Sequence, residues 1–312
     1  MELVLKKYYW VNLLIVVLLS FNLACGTDSN KPKPPPPPAV KCGTLKANET
    51  CETLIRPDSF SAERYFILNV PDNIPSNPAL FISLHGSGGR ADRVADLYQF
   101  QNLVSDAGYI GAFANSIIRS DGISTWNAHD NSYAIPQIDD VQFISRLIDE
   151  LVTSHNIDPD KVFVFGWSNG GFMANRLACE IPDKIAGIYT LAGHLRVPLN
   201  NCSTDGATAV SHLHPTGDPT VPFAGDAAKG YMSAGDAIGE WVNFHECDTN
   251  PETFGPFDLT SDEPAEESNS YRYSNCRANV EFTVIDGSDH GPEFQIDVFH
   301  NELISFFARS VE

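Results

Sequence analysis

The sequence predicts an α/β fold in which a mostly parallel sheet is flanked by helices. Three observations carry that expectation. Strand-like hydrophobic runs alternate with amphipathic helical segments along the chain. One strand, Val162-Phe163-Val164-Phe165, turns directly into a helix, Phe172 to Ala178, through Gly166-Trp167-Ser168-Asn169-Gly170. The composition also permits a large core, since 312 residues are 43% hydrophobic and 11% aromatic, which argues against disorder.

At the N-terminus, Lys6-Lys7 precede an apolar run from Tyr8 to Leu19. A short basic segment, an apolar stretch and a small residue before a cut describe a secretory signal peptide, here residues 1–24. The run is short for a membrane span. Ala24-Cys25-Gly26 resembles the end of a bacterial lipobox, which implies that Cys25 is the lipidated first residue of the mature chain, held in outer-membrane lipid. Asn22 stands where that motif usually has leucine, and plain secretion is the alternative. Either way the protein is expected outside the cytoplasm: extracellular, on the cell surface or in the periplasm. Residues 25–41, with the run Pro34 to Pro38, read as an extended polyproline tether, and residues 42–312 as one folded domain.

An oxidising compartment gives the cysteines a stapling role. With Cys25 set aside, Cys42, Cys51, Cys179, Cys202, Cys247 and Cys276 remain. Proximity favours Cys42–Cys51, Cys179–Cys202 and Cys247–Cys276 among the pairings that six cysteines allow.

Within the domain, residues 64–70 and 79–84 read as strands, and the second runs into His85-Gly86-Ser87-Gly88-Gly89. A helix is predicted over 92–106, a strand over 109–114 and an amphipathic helix over 138–154. After the strand–turn–helix unit come strands over 184–191 and 209–214, a helix over 233–245, a strand over 280–285 and a closing helix over 293–309. Such alternation favours parallel pairing, and sites in such sheets lie beyond the carboxyl ends of the strands.

Gly166 and Gly170 suit a turn too tight for a side chain, and Ser168 is left exposed at a helix start. A serine hydroxyl is a weak nucleophile until a base takes its proton, and the base needs an acid to hold its tautomer. In nucleophile-elbow enzymes the order is serine, then acid, then histidine. Asp218 follows the strand over 209–214, in a turn that ends at Pro222. Taken alone it would be a turn-forming aspartate. His290 follows the last strand in a glycine-containing loop. His194 precedes Asp218, while His245 and His300 fall within predicted helices, so these three fit the pattern less well. His212 and His214 alternate on one strand and hint at a metal, but no third ligand is apparent, and no metal is assigned. Two inward N–H groups are needed for a developing oxyanion. Asn169 is expected to supply one and Ser87, in the early glycine-rich loop, the other.

Taken together, these residues resemble the polyhydroxybutyrate depolymerase and feruloyl esterase group of secreted α/β hydrolases. The likeness rests on Leu84-His85-Gly86, Trp126-Asn127, Asp139-Asp140-Val141, Asn156 to Pro159, Gly166 to Gly171, His214 to Pro222 and Gly287 to His290. It implies the α/β-hydrolase fold, a Ser168–Asp218–His290 triad, an acyl-enzyme, no cofactor, and Trp126 near the substrate cleft. The implied substrate is a hydroxyalkanoate polyester or oligoester, with feruloyl or acetyl esters of plant walls as the alternative. A surface binding lipoprotein on the same fold is the reading from another class, though it has no need of all three triad residues. Two departures fall where specificity is set. Gly291-Pro292-Glu293 follows His290 where relatives often carry tryptophan, and the acidic stretch Asp248 to Glu267 looks like an insertion. Nucleic acid is excluded as a partner by a formal charge of −20, from 20 Lys+Arg against 40 Asp+Glu.

Overall fold

In the computed structural model the described residues are 45–54, 64–128, 138–196, 199–263 and 266–312. The predicted signal peptide, Cys25, the tether and Cys42 lie outside them. The chain proceeds through β1 (Glu49–Leu54), β2 (Arg64–Asn69), β3 (Leu80–Leu84), α1 (Ala91–Leu97), α2 (Phe100–Ala107) and β4 (Ile110–Ala114). A short hairpin, β5 (Ile117–Ile118) and β6 (Ser124–Thr125), precedes α3 (Asp140–His155), β7 (Val162–Trp167), α4 (Asn169–Glu180), β8 (Gly187–Leu191) and β9 (Ala209–Pro215). The remainder is α5 (Ala234–Phe244), β10 (Glu252–Phe257), β11 (Ser268–Tyr273), β12 (Val280–Ile285) and α6 (Ile296–Arg309).

Ten of these strands form one sheet in the order β1-β2-β4-β3-β7-β8-β9-β12-β11-β10. The run from β4 to β12 is parallel throughout, and the outer strands at both edges pair antiparallel. This is the mostly parallel, helix-flanked α/β-hydrolase architecture expected from the alternation.

Strand side chains alternate between two faces. Leu80, Ile82, Leu84, Val162 and Val164 join the core under α3, α4 and α5. Phe81, Phe163 and Phe165 join the core under α1, α2 and α6. The aromatic positions of the central strands therefore all enter the second core, where Phe163 stacks on Phe307 with centroids 4.4 Å apart. Each such phenylalanine, fully buried, stabilises the fold by about 2–3 kcal/mol.

Two expectations need correction. The helix over 92–106 is two helices, broken at Gln99, which sits at φ 48°. No glycine or proline marks the break. Tyr98 causes it by turning inward, 1% exposed, against Phe100, Phe165, Trp167, Phe294 and Phe299. The strand over 184–191 begins only at Gly187, because Pro182–Lys184 form a 3-10 turn. The acidic stretch supplies edge strand β10, and its Asp262 and Glu263 are bonded to the loop that carries His290.

Cys179–Cys202 and Cys247–Cys276 are bonded as proximity favoured. The third pairing involves Cys42, outside the described residues. No described helix is long and apolar enough to cross a membrane.

Candidate active site

Ser168 occupies the turn between β7 and α4 with φ 55° and ψ −119°, a strained conformation for a residue with a side chain. The turn is kept by what surrounds it. A Cβ on Gly166 would lie 2.2 Å from Gly170 O, and one on Gly170 would lie 2.1 Å from Leu84 O. Only glycine fits at either place. Ser168 N–H donates to Leu191 O at 2.8 Å, which ties the turn to β8.

Three loops from the carboxyl ends of β7, β9 and β12 bring the nominated side chains together. His290 Nε2 lies 2.8 Å from Ser168 Oγ, and His290 Nδ1 lies 2.7 Å from Asp218 Oδ2. The other oxygen of Asp218 accepts from Thr220 N at 2.7 Å and Val221 N at 2.9 Å. Burial pushes the Asp218 carboxyl toward neutrality, but the His290 bond and those two N–H groups outweigh it and hold the carboxyl below its usual range. With Asp218 ionised, the proton on His290 belongs on Nδ1, and Nε2 presents its lone pair to the serine hydroxyl.

The β9 and β12 loops are also bonded to each other. Thr216 N donates to Ile285 O and Gly217 N to Gly287 O, both at 2.8 Å. Trp167, next to the serine, donates from Nε1 to His290 O at 2.9 Å. From outside, Glu263 accepts from Ser288 N at 2.6 Å, and Asp262 accepts from Ser288 Oγ at 3.1 Å and Glu293 N at 3.2 Å. Ser288 itself is at φ 42°, so these carboxylates hold the bend that aims His290. Sequence reading missed Trp167, Asp262 and Glu263 in these roles. In the sequence the acidic stretch stands out only as a departure from relatives, and nothing local says which loop it touches.

Asn169 opens α4. Neither its backbone N–H nor that of exposed Ser87 is bonded to an acceptor among the described residues. Gly86 packs so close that a Cβ there would be 3.3 Å from Ser168 Cβ, which sets the Ser87 loop beside the serine. Gly88 N–H is taken by Ser124 O at 2.7 Å. The Asn169 side chain accepts from Trp126 N at 2.7 Å and Thr125 Oγ1 at 3.0 Å.

Trp126, expected near the substrate cleft, lies against Asn169 and the Ser87 loop but is enclosed. Its ring is 2% exposed, and its Nε1 donates to His85 O at 2.9 Å. An indole so enclosed supports the Ser87 loop from below and presents no face to a substrate. His85, 1% exposed, completes that support by bonding Gly86 O through Nδ1 and accepting from Ser116 N through Nε2.

His194, His212 and His214 cluster in the core beside Asp218. His245 stacks on Trp241, and His300 donates to Tyr98 O at 2.8 Å. Among the described residues no group of three or more ligand-type side chains is placed to hold a metal ion.

Comparison with known proteins agrees with this architecture. The model of a family described as phospholipase/carboxylesterase matches residues 76–236, more than half of the chain. The match takes in Ser168 and Asp218 and ends before His290. A protein named as an esterase, NocK of Nocardia uniformis subsp. tsuyamanensis, is 33% identical over 155 residues, covering 49% of this chain and 43% of that one. Poly(3-hydroxyalkanoate) depolymerase C of Paucimonas lemoignei is 23% identical over 253 residues, covering 72% and 57%. Feruloyl esterase B of Piromyces equi is 24% identical over 241 residues, covering 73% and 42%. The chain thus spans about half the length of the curated relatives it matches. Among solved structures, the acetyl xylan esterase from Aspergillus awamori superposes with a TM-score of 0.62 at 14% identity, covering 83% of this chain and 99% of that one, a likeness of fold. With a family model matched across the elbow, the glycine-rich loop and the Asp218 turn, the chain belongs to the phospholipase/carboxylesterase family of α/β hydrolases.

Proposed function

We propose that this protein is a carboxylic ester hydrolase that works through an acyl-enzyme on Ser168. The observation that carries the reading is the unbroken row Ser168 Oγ, His290, Asp218, with contacts of 2.8 and 2.7 Å. Ser168 Oγ attacks the ester carbonyl as its proton passes to His290 Nε2. The tetrahedral oxyanion is held by the N–H groups of Asn169 and Ser87, both unspent and beside the serine. Collapse breaks the bond to the alcohol oxygen, which takes the proton from His290. Water then repeats the sequence, yielding its proton to His290, and the acid leaves with Ser168 restored. Asp218 stays ionised and holds the imidazole.

The proposed substrate is a hydroxyalkanoate oligoester or polyester, as the name of the depolymerase relative indicates for that protein. Feruloyl and acetyl esters are the second reading, favoured by the names of other relatives. Burial of Trp126 weighs against the ferulate version that would use its ring as a wall. A signal peptide over 1–24 and lipidation at Cys25 belong to the same proposal, and an intact-mass measurement on membrane fractions tests them.

Initial rates on methyl ferulate and on a soluble 3-hydroxybutyrate oligomer, with Ser168→Ala as blank, test the reading. Ser168→Ala is expected to lower kcat by about a thousandfold or more and to abolish labelling by a fluorophosphonate. Full activity in that variant would sink the acyl-enzyme. A wild-type protein that is neither labelled nor active on any ester would favour the binding lipoprotein.

A further inference from the structure

Beneath Asp218 lies a hydrogen-bonded row of side chains that the acyl-transfer steps do not use. Thr190 on β8 and His212 on β9 are registered partners, and His214 follows two residues later on the same face of β9. Thr190 Oγ1 is 2.8 Å from His212 Nδ1, His212 Nε2 is 3.0 Å from His214 Nδ1, and His214 Nε2 is 2.8 Å from Val221 O. The three side chains are buried, at 0%, 2% and 0% exposure.

Burial lowers both imidazoles, His212 well below the usual histidine range and His214 below it, so each neutral ring has one N–H and one lone pair. A carbonyl oxygen can only accept. His214 must therefore carry its proton on Nε2, facing Val221 O, and present a lone pair at Nδ1. His212 must fill that lone pair from its own Nε2–H, which leaves its Nδ1 as a lone pair facing the Thr190 hydroxyl, whose single proton is shared with Ser211 O at 3.2 Å. Both ring N–H groups then point the same way, toward the Asp218 turn. At its end His214 Nε2 stands 3.6 Å from Asp218 Oδ2, the oxygen that bonds His290. The contact is too long for a hydrogen bond, but it sets the positive end of an N–H dipole against the carboxylate. In the opposite tautomer a lone pair would face both Val221 O and Asp218 Oδ2. The other groups around His214 are the rings of His194 and Phe223, with His290 beyond Asp218.

We propose that Thr190 and His212 lock the tautomer of His214, and that His214 is thereby a positioning residue that holds the Asp218 turn in its bonding geometry with His290. The role rests on reading Asp218 as the acid of the triad. Val221 is the point of leverage, because its carbonyl is held by His214 while its N–H holds Asp218 Oδ1.

The test begins with long-range 15N–1H correlation spectra of the labelled wild-type protein at pH 7, with the two rings assigned by His212→Phe and His214→Phe. Both rings are expected as neutral Nε2–H tautomers. Finding either as Nδ1–H, or charged, overturns the lock. His212→Phe keeps a ring against Phe282, whose centroid is 5.9 Å away, but removes the donor. It should lower kcat about tenfold, the scale of one neutral hydrogen bond, leave KM unchanged and spread His214 over two tautomers. His212→Gln, which can donate again, should recover part of kcat. Thr190→Val removes the hydroxyl that faces His212 Nδ1 with little change of shape and should shift the same signals, so the row remains testable if His212→Phe does not fold. A kcat equal to wild type in His212→Phe refutes the positioning role. Activity surviving in Ser168→Ala is a different failure: it removes the acyl-enzyme and this role with it, while the spectra still report whether the lock exists.

Discussion

Removing the cation of one buried ion pair should destabilise the fold severely, and removing both charges should not. Arg64 on β2 and Asp140 at the start of α3 are 4% and 0% exposed, and the guanidinium donates to Asp140 Oδ1. Asp140 Oδ2 accepts from Asn127 N at 2.6 Å, and Arg64 lies 4.0 Å from the Phe143 ring centroid. Arg64→Met keeps much of the apolar stem but leaves a carboxylate in the core with no cation. Breaking a buried pair in this way costs about 3–5 kcal/mol, a large part of the 5–15 kcal/mol (order of magnitude) that a domain has in total. At ~2–4 °C per kcal/mol for a chain of this class, Tm should fall by roughly 10 °C. In Arg64→Met/Asp140→Asn the amide oxygen still accepts from Asn127 and no charge is buried, so most of the loss should return. Urea unfolding of wild type, both single variants and the double variant, followed by tryptophan fluorescence, gives the coupling directly. Single losses that simply add in the double variant would refute the idea that the two charges compensate each other.

Acid should weaken the protein over a defined window. Burial lowers His85, His194 and His245 each from 6.5 to about 4. Above pH 6.5 these rings are neutral in both states and contribute no pH dependence. As pH falls from 6.5 to about 4 the unfolded chain binds protons that the folded chain refuses, so stability declines by about 3 kcal/mol per histidine and then levels off. A urea midpoint that does not move across that window would contradict the assignment. Gly170→Ala should fail to fold, because its Cβ would lie 2.1 Å from Leu84 O. Gly235→Ala on α5, where a Cβ meets nothing within 4 Å, should instead stabilise by up to about 1 kcal/mol; comparing thermal melts and soluble yield separates the two.

Where information is local, much of this fold can be read from the chain. Period-2 runs such as Val162 to Phe165 specify buried strands, and the glycine spacing around Ser168 specifies a turn that no side chain permits. The order of Ser168, Asp218 and His290 after three parallel strands is also legible, because parallel strands deliver their following loops to one end of a sheet. Tertiary structure alone decided the rest. Gln99 breaks a helix without a breaker residue, since the inward packing of Tyr98 outweighs local propensity. Trp126, placed by resemblance near the cleft, is enclosed because its N–H finds His85 O. Asp262 and Glu263 meet Ser288 across 26 and 25 residues of sequence, and Thr190 meets His212 across 22. Such contacts depend on strand order and register, which arise from the packing of the whole sheet and leave no mark in the residues on either side.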